Sequence, residues 1–551
     1  MKEQDLLDSI SEIDEEVLER SEHNKLQSSK SNENTNNNGI KHRMPWEILI
    51  PIAASLVLTV GIIVFFVHSA IQAGKERNHL VNESSKGIIQ NNPGTTSADP
   101  DTVLETASIE NNASDEGFSL FKTYKVSAAE YPEMVKYPEF NDYFMEDGTF
   151  NNEAYNNAIN EWSNSQRKQW KAEDPDALEA GRKSLQTFIT KGMKYFLSEQ
   201  DHENRVYSPI NIYIALGMLA ELTNGNTRQQ ILDVLEVENV EELRKQAKTI
   251  WNTTYFDDGA VKRVLASSVW MRDDLKYNKK TLDTLAENYY ASSFSGDMGS
   301  DEYSAALQAW LNEQTDGILD EQVKDVKLNQ RDIIALATTI CFSAKWYREF
   351  KKEDTKQAVF HAATGDIKRD FMNRTEYTGR YCCGEKFGAT YQYFGNSGGS
   401  MLYILPDEGI SVYDLLEDEQ VMSLIYDNYD NIEDKYLKIN LSVPKFDIAS
   451  DQDIADCMKK LGITDAFDEI KADFSPLTDE TEEIWLGSAT HGARVIADEE
   501  GVKAAAFTVM ELAGGDLPPE DEMDFVLDRP FMFVIEYGIG TPLFIGIVEN
   551  P

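Results

Sequence analysis

Ile48 to Val67 is an apolar run without one charged residue, and it limits what the chain can fold into. About twenty residues at ~1.5 Å rise each match a hydrocarbon core of ~30 Å. Trp46 stands at one edge, where an interfacial aromatic is favoured. A cleaved signal peptide would need a shorter apolar core and a far shorter segment in front of it. The expected reading is an uncleaved single-pass anchor over residues 45–68, contacting the membrane through 46–67. Lys41 and Arg43 precede it and Lys75 and Arg77 follow it, so flanking charge barely orients it. The simplest export arrangement puts the N-terminus in the cytosol and the long polar chain on the extracellular side of a cell membrane.

The anchor divides the rest. In residues 1–44, Leu6, Leu7, Ile10, Ile13, Val17 and Leu18 fall at helical spacing among acids, and an Asn-, Ser- and Lys-rich linker follows. This tail reads as solvated, or as a docking helix for a cytosolic partner. Residues 69–115 are a polar tether with a reach of roughly 40 Å. Residues 116–176 bring aromatics back, from Phe118 and Phe121 to Tyr155, with Trp162 and Trp170 in a charged helical stretch. They are expected to pack as an extension on the domain that follows, residues 177–551.

The charge of −44 excludes a general nucleic-acid partner, because phosphate backbones need Lys and Arg. Four cysteines, two of them the adjacent Cys382 and Cys383, lack the spacing of a zinc or redox motif. H-E-x-x-H does not occur, and the seven histidines are scattered. No catalytic, cofactor or metal site is expected.

Within 177–551, helical spacing predicts helices over 178–197, 210–222 (Ser208 as N-cap), 227–235, 279–292, 302–314, 412–416 and 453–461. Apolar runs predict strands over 264–270, 333–343, 401–405, 531–536 and 543–548. Helices cluster early and strands late, so the fold class is α+β with large sheets.

One stretch has no evident means of anchoring itself. Asp498-Glu499-Glu500-Gly501 leads into Val502, Lys503, Ala504, Ala505, Ala506, Phe507 and Thr508, then runs to Gly514-Gly515. Read as a strand, Val502, Ala504, Ala506, Thr508, Met510 and Leu512 fall on one face, all small or apolar except the Thr hydroxyl, and Lys503 falls on the other. No proline interrupts 501–515, so nothing would block a ladder.

Several segments carry a family resemblance. Ser208-Pro209 with Leu216, and Gly225 to Leu232, resemble the early helices of serpins. Phe342-Ser343-Ala344-Lys345-Trp346, Leu405-Pro406-Asp407, Val443-Pro444-Lys445-Phe446, Leu461 to Phe467, Asp528-Arg529-Pro530-Phe531 and the closing Phe544 to Pro551 are similar to serpin segments in serpin order. The resemblance implies three β-sheets, about nine helices and an exposed reactive-centre loop. It implies a monomer that inhibits serine, and by extension cysteine, endopeptidases through a covalent complex. It makes Glu499, Glu500, Gly501, Val502, Lys503, Ala504, Ala505 and Ala506 the hinge. Counting from the hinge glycine puts the reactive bond at Gly515–Asp516, with Ala513, Leu512 and Met510 as alternatives. Glycines before the cut suit subtilisin-like or elastase-like targets. The implied sheet-opening region holds Ser208, Asn211, Thr338, Trp346 and His491; Asn211 stands where the family has a Ser, and Thr338 where it has an Asn. A non-inhibitory serpin acting as a binding module or membrane-anchored sensor is the alternative. Arg244, Lys245 and Lys248 read as a solvated helix face rather than a heparin-like site.

Overall fold

The computed structural model describes residues 120–551 except 146, 171–173, 199–201, 397, 430, 481–483, 503–518, 520 and 539. The apolar run, the N-terminal tail and the tether lie outside the described residues. Among the described residues no helix is long and apolar enough to cross a membrane.

The central sheet follows the order β1-β5-β4-β6-β14-β13-β12, with β3 (Phe256–Asp257) paired to β4. Its members are β1 Lys125–Ser127, β4 Lys262–Arg272, β5 Ala291–Gly296, β6 Ile334–Lys345, β12 Phe446–Asp453, β13 Leu486–Ala497 and β14 Gly501–Val502. β4 and β6 are buried along nearly their whole length, so they read as continuous apolar runs rather than alternating ones. A second network runs β15-β11-β8-β9-β10-β16-β17-β2, with β7 (Lys356–Ala362) paired to β8. It comprises β2 Arg205–Tyr207, β8 Gly365–Cys383, β9 Phe387–Tyr393, β10 Ser400–Pro406, β11 Glu433–Pro444, β15 Glu522–Val526, β16 Phe531–Glu536 and β17 Pro542–Val548. The three expected sheets thus form two hydrogen-bonded networks. The reason is β8 and β11, long strands paired from Glu433↔Cys383 to Pro444↔Phe371, which join the two smaller sheets.

Nine α-helices are present among the described residues: α1 Asn152–Trp170, α2 Pro175–Phe196, α3 Pro209–Leu222, α4 Gly225–Leu235, α5 Val240–Thr254, α6 Lys279–Tyr289, α7 Asp301–Gln314, α8 Glu419–Ile425 and α9 Ala455–Leu461. α3 starts as its sequence predicts: the Ser208 hydroxyl accepts from the Asn211 N–H and Pro209 sits in the first turn. It is buried all round, between the sheets and the other helices. The helix expected over 279–292 stops at Tyr289, because Tyr290 turns left-handed (φ 50°) and stacks on Trp251, releasing residue 291 into β5. The helix expected from 453 starts at Ala455, because Asp453 is held in β12 opposite Thr490.

Arg244 does not stand on a freely solvated face. It grips Glu221, 7% exposed, with two bonds of 2.6 and 2.8 Å, whereas Lys245 of the same helix reaches the half-buried Glu242. None of the four cysteines forms a disulfide.

Candidate functional site

The site is the line along which β6 and β13 meet. Below, the two strands pair in parallel, from Leu486↔Ile334 to Gly492↔Thr339. Above, they part, and β14 lies between them, antiparallel to both: Val502 faces Ala497 on one side and Ala344 on the other, and Gly501 faces Lys345. Val502 is 2% exposed. A side chain at Gly501 would collide with the Ala344 carbonyl, so close approach requires glycine there. The loop that leaves Val502 therefore starts inside the sheet.

Two acids before the glycine are fastened individually. Glu499, 6% exposed, accepts from Lys445 Nζ at 2.8 Å and from the Thr355 hydroxyl at 2.9 Å. Burial pushes its carboxyl up, but the bonds from Lys445 and Thr355 outweigh that and hold it below the usual carboxylate range. Glu500 pairs at the surface with Lys352. The Asp498 carboxylate accepts from the Glu500 and Gly501 N–H groups, closing the turn. Trp346, fully buried and stacked on Phe394 at 4.8 Å, donates its indole N–H to the Asp498 carbonyl at 2.8 Å. The Trp346 and Phe350 N–H groups donate to the Glu500 and Glu499 carbonyls.

Lower on the seam, Thr338 and His491 stand directly opposite each other. His491 Nε2 accepts from the Ser208 N–H at 3.0 Å, and Nδ1 lies 3.2 Å from the Thr338 hydroxyl. The acceptor role of Nε2 assigns the neutral ring with its proton on Nδ1. Burial pushes the imidazole down to about 4, which keeps it neutral. The Thr339 hydroxyl donates to the Gly492 carbonyl at 3.3 Å. Asn211 joins only through its backbone; its fully buried side-chain amide has no hydrogen-bond partner among the described residues.

The structure therefore brings Ser208, Thr338 and His491 together and sets Trp346 apart, eight strand residues along and roughly 26 Å away at ~3.3 Å per residue. Glu499, Glu500, Gly501 and Val502 stand at the upper end; Lys503, Ala504, Ala505, Ala506 and the Gly515–Asp516 bond lie outside the described residues. Sequence reasoning missed Thr355 and Lys352, and named Asp498 at the head of the stretch without its turn-closing bonds. It quoted Lys445 for its motif without its partner, because a bond spanning 54 residues leaves no local signal.

Comparison with known proteins identifies the family and the fold. The serpin family model (serine protease inhibitor) matches residues 183–551. An alpha-1-antitrypsin-like protein of Ictidomys tridecemlineatus is 28% identical over 377 residues, 67% of this chain and 88% of that protein. Alpha-1-antitrypsin 1-4 of Mus musculus is 27% identical over 404 residues, 71% of this chain and 93% of that protein. Among solved structures, the thermophilic serpin tengpin in its native state superposes with a TM-score of 0.60 at 26% identity, over 69% of this chain and 96% of that one. Human thyroxine-binding globulin complexed with thyroxine gives 0.59 at 22% identity, over 68% and 99%, a likeness of fold alone. The chain belongs to the serpin family.

Proposed function

We propose that the protein is a membrane-tethered suicide inhibitor of serine endopeptidases. The target's serine oxygen attacks the Gly515 carbonyl; the Gly515–Asp516 bond breaks, Asp516 leaves as a new amino terminus, and an ester joins Gly515 to the protease. Lys503 and its successors then follow Val502 down the seam and carry the protease along, distorting its catalytic geometry before water can deacylate it.

One observation supports this reading above the others: Gly501 and Val502 already lie between β6 and β13. Continuing that strand replaces one parallel pairing with two antiparallel ones, which are slightly more stable per residue. The small, alternating residues after Val502 suit the buried face of such a strand. The anchor over residues 45–68, the extracellular placement and the choice of subtilisin-like or elastase-like targets rest on sequence alone.

The test is incubation with subtilisin-like, elastase-like and trypsin-like proteases. An SDS-stable complex with one of the first two is expected, with the cut at Gly515–Asp516 by mass spectrometry. Loop cleavage by all three without any complex would sink the proposal.

A further inference from the structure

Residues 120–137 lie outside the family-matched domain, which begins at residue 183. Yet they are bonded along the sheet's far edge. β1 adds to the edge strand β5, with Lys125 opposite Phe294 and Ser127 opposite Ser293, and the Ala129 N–H donates to the Ser292 hydroxyl at 3.2 Å. Just before β1, Phe121 is buried edge-on against Phe294 at 5.8 Å, and Tyr124 packs on Tyr303 of α7 at 4.9 Å. Phe121 belongs to the core between α7 and the sheet, with Trp270 of β4 and Trp310 of α7. Beyond β1, Tyr131 packs on Trp251 and Tyr255, Lys136 pairs with Asp257 at 3.0 Å, and the Tyr137 N–H donates to the Asp258 carbonyl. One short segment thus ties α7, the edge strand and the end of α5 together.

The segment following α7 crosses the seam on the other side. The Ile318 carbonyl accepts from Arg494 of β13 at 2.6 Å, and Leu319 lies against Gly492, also on β13. A strand entering between β6 and β13 must move them apart by about one strand spacing, ~4.8 Å. β6 carries α7 with it through the shared core, so the Ile318–Leu319 crossing has to lift.

We infer that residues 120–137 are a conformational strap: with β1 on the sheet edge and Phe121 and Tyr124 against α7, they hold α7 down and set how readily the seam opens. The inference rests on the loop-insertion reading for its purpose but not for its test. In the full-length protein, Phe121→Ala is expected to raise amide hydrogen exchange in the paired residues of β6 and β13 by at least about tenfold, and to speed heat-induced passage to a loop-inserted, urea-resistant form by a similar factor. Phe140→Ala alters another aromatic cluster of the extension, with Phe150 and Tyr155, which meets residues 120–137 at Tyr137 and not at β1, and is expected to leave both rates within about twofold. Unchanged seam exchange in Phe121→Ala, with β1–β5 amides exposed, would overturn the strap; so would equal acceleration by both variants. Faster seam exchange with no insertion in any variant would keep the strap and sink loop insertion. Should Phe121→Ala fail to fold, Tyr124→Ala, which removes only the ring on Tyr303, carries the same test.

Discussion

β6 has two neighbours, and they are built differently. On one side β4 pairs antiparallel from Lys262↔Ser343 to Met271↔Ile334 without a break, between buried apolar rows. On the other side β13 pairs in parallel, with a register shift near Ser488, and stops at Gly492. The contacts there are polar: Thr338 with His491, and Thr339 with the Gly492 carbonyl. Hydrophobic burial without direction locks the β4 side, whereas a few directional bonds in neutral form close the β13 side. The side of β6 held by fewer directional bonds is also the side where β14 is lodged.

The strongest way to break this comparison is Val502→Arg. It puts a charge on the buried face of β14, at a cost of several kcal/mol. Incubation with the cognate protease is expected to give cleaved loop in place of complex, a loss of more than about nine-tenths of the SDS-stable band. Retained inhibition would mean that the β13 side does not take the loop.

Acid tests the same side. The imidazole of His491 sits at about 4 in the fold against 6.5 unfolded, so below pH 6.5 the unfolded chain binds a proton that the native protein refuses. Stability contributed by the neutral ring is full above 6.5 and falls as pH drops toward 4, by about 3 kcal/mol in all. Denaturant midpoints measured between pH 7.5 and 4.5 should fall in the wild type and fall less steeply in His491→Gln. Glu499 changes in the same direction but lower on the pH scale, since its depressed carboxyl begins to give up stability as pH falls below the ordinary carboxylate value and has lost it once pH is below the folded one.

Glu499→Gln weakens the upper fastening by leaving Lys445 half-satisfied, an expected loss of about 1–3 kcal/mol in urea unfolding at pH 7. The smallest effect sharpens the contrast. Ser268 of β4 donates to the Ala337 carbonyl and accepts from Trp270, so Ser268→Ala should cost about 1 kcal/mol. Its yield of protease complex should equal that of the wild type; a loss of complex would show that the β4 side also yields.

The helices were the most legible part of the fold. Ser208-Pro209 announced α3, and the apolar spacing of 178–197 announced α2, because caps and periodicity are properties of adjacent residues. β8 escaped notice because it carries exposed charges such as Lys368 and Asp370 at alternate positions with few buried residues, and nothing local tells such a strand from a loop. In the site, the glycine hinge and His491 were recognisable from family-like spacing. The separation of Trp346 from the His491 cluster was not, since position along a strand sets it.

By itself the sequence determined the helices that carry caps or clear periodicity and the strands that are continuous apolar runs, that the 502–512 stretch is small and alternating enough to be one more strand, and that no run of Lys and Arg invites nucleic acid. All of these are decided by near neighbours and composition. Only the tertiary structure decided where the sheet parts, which acid is buried and what holds it. Those outcomes depend on pairings such as Lys445 with Glu499, Thr338 with His491 and β1 with β5. Residues far apart in the chain meet there because burying their shared surroundings offsets the entropy of bringing them together.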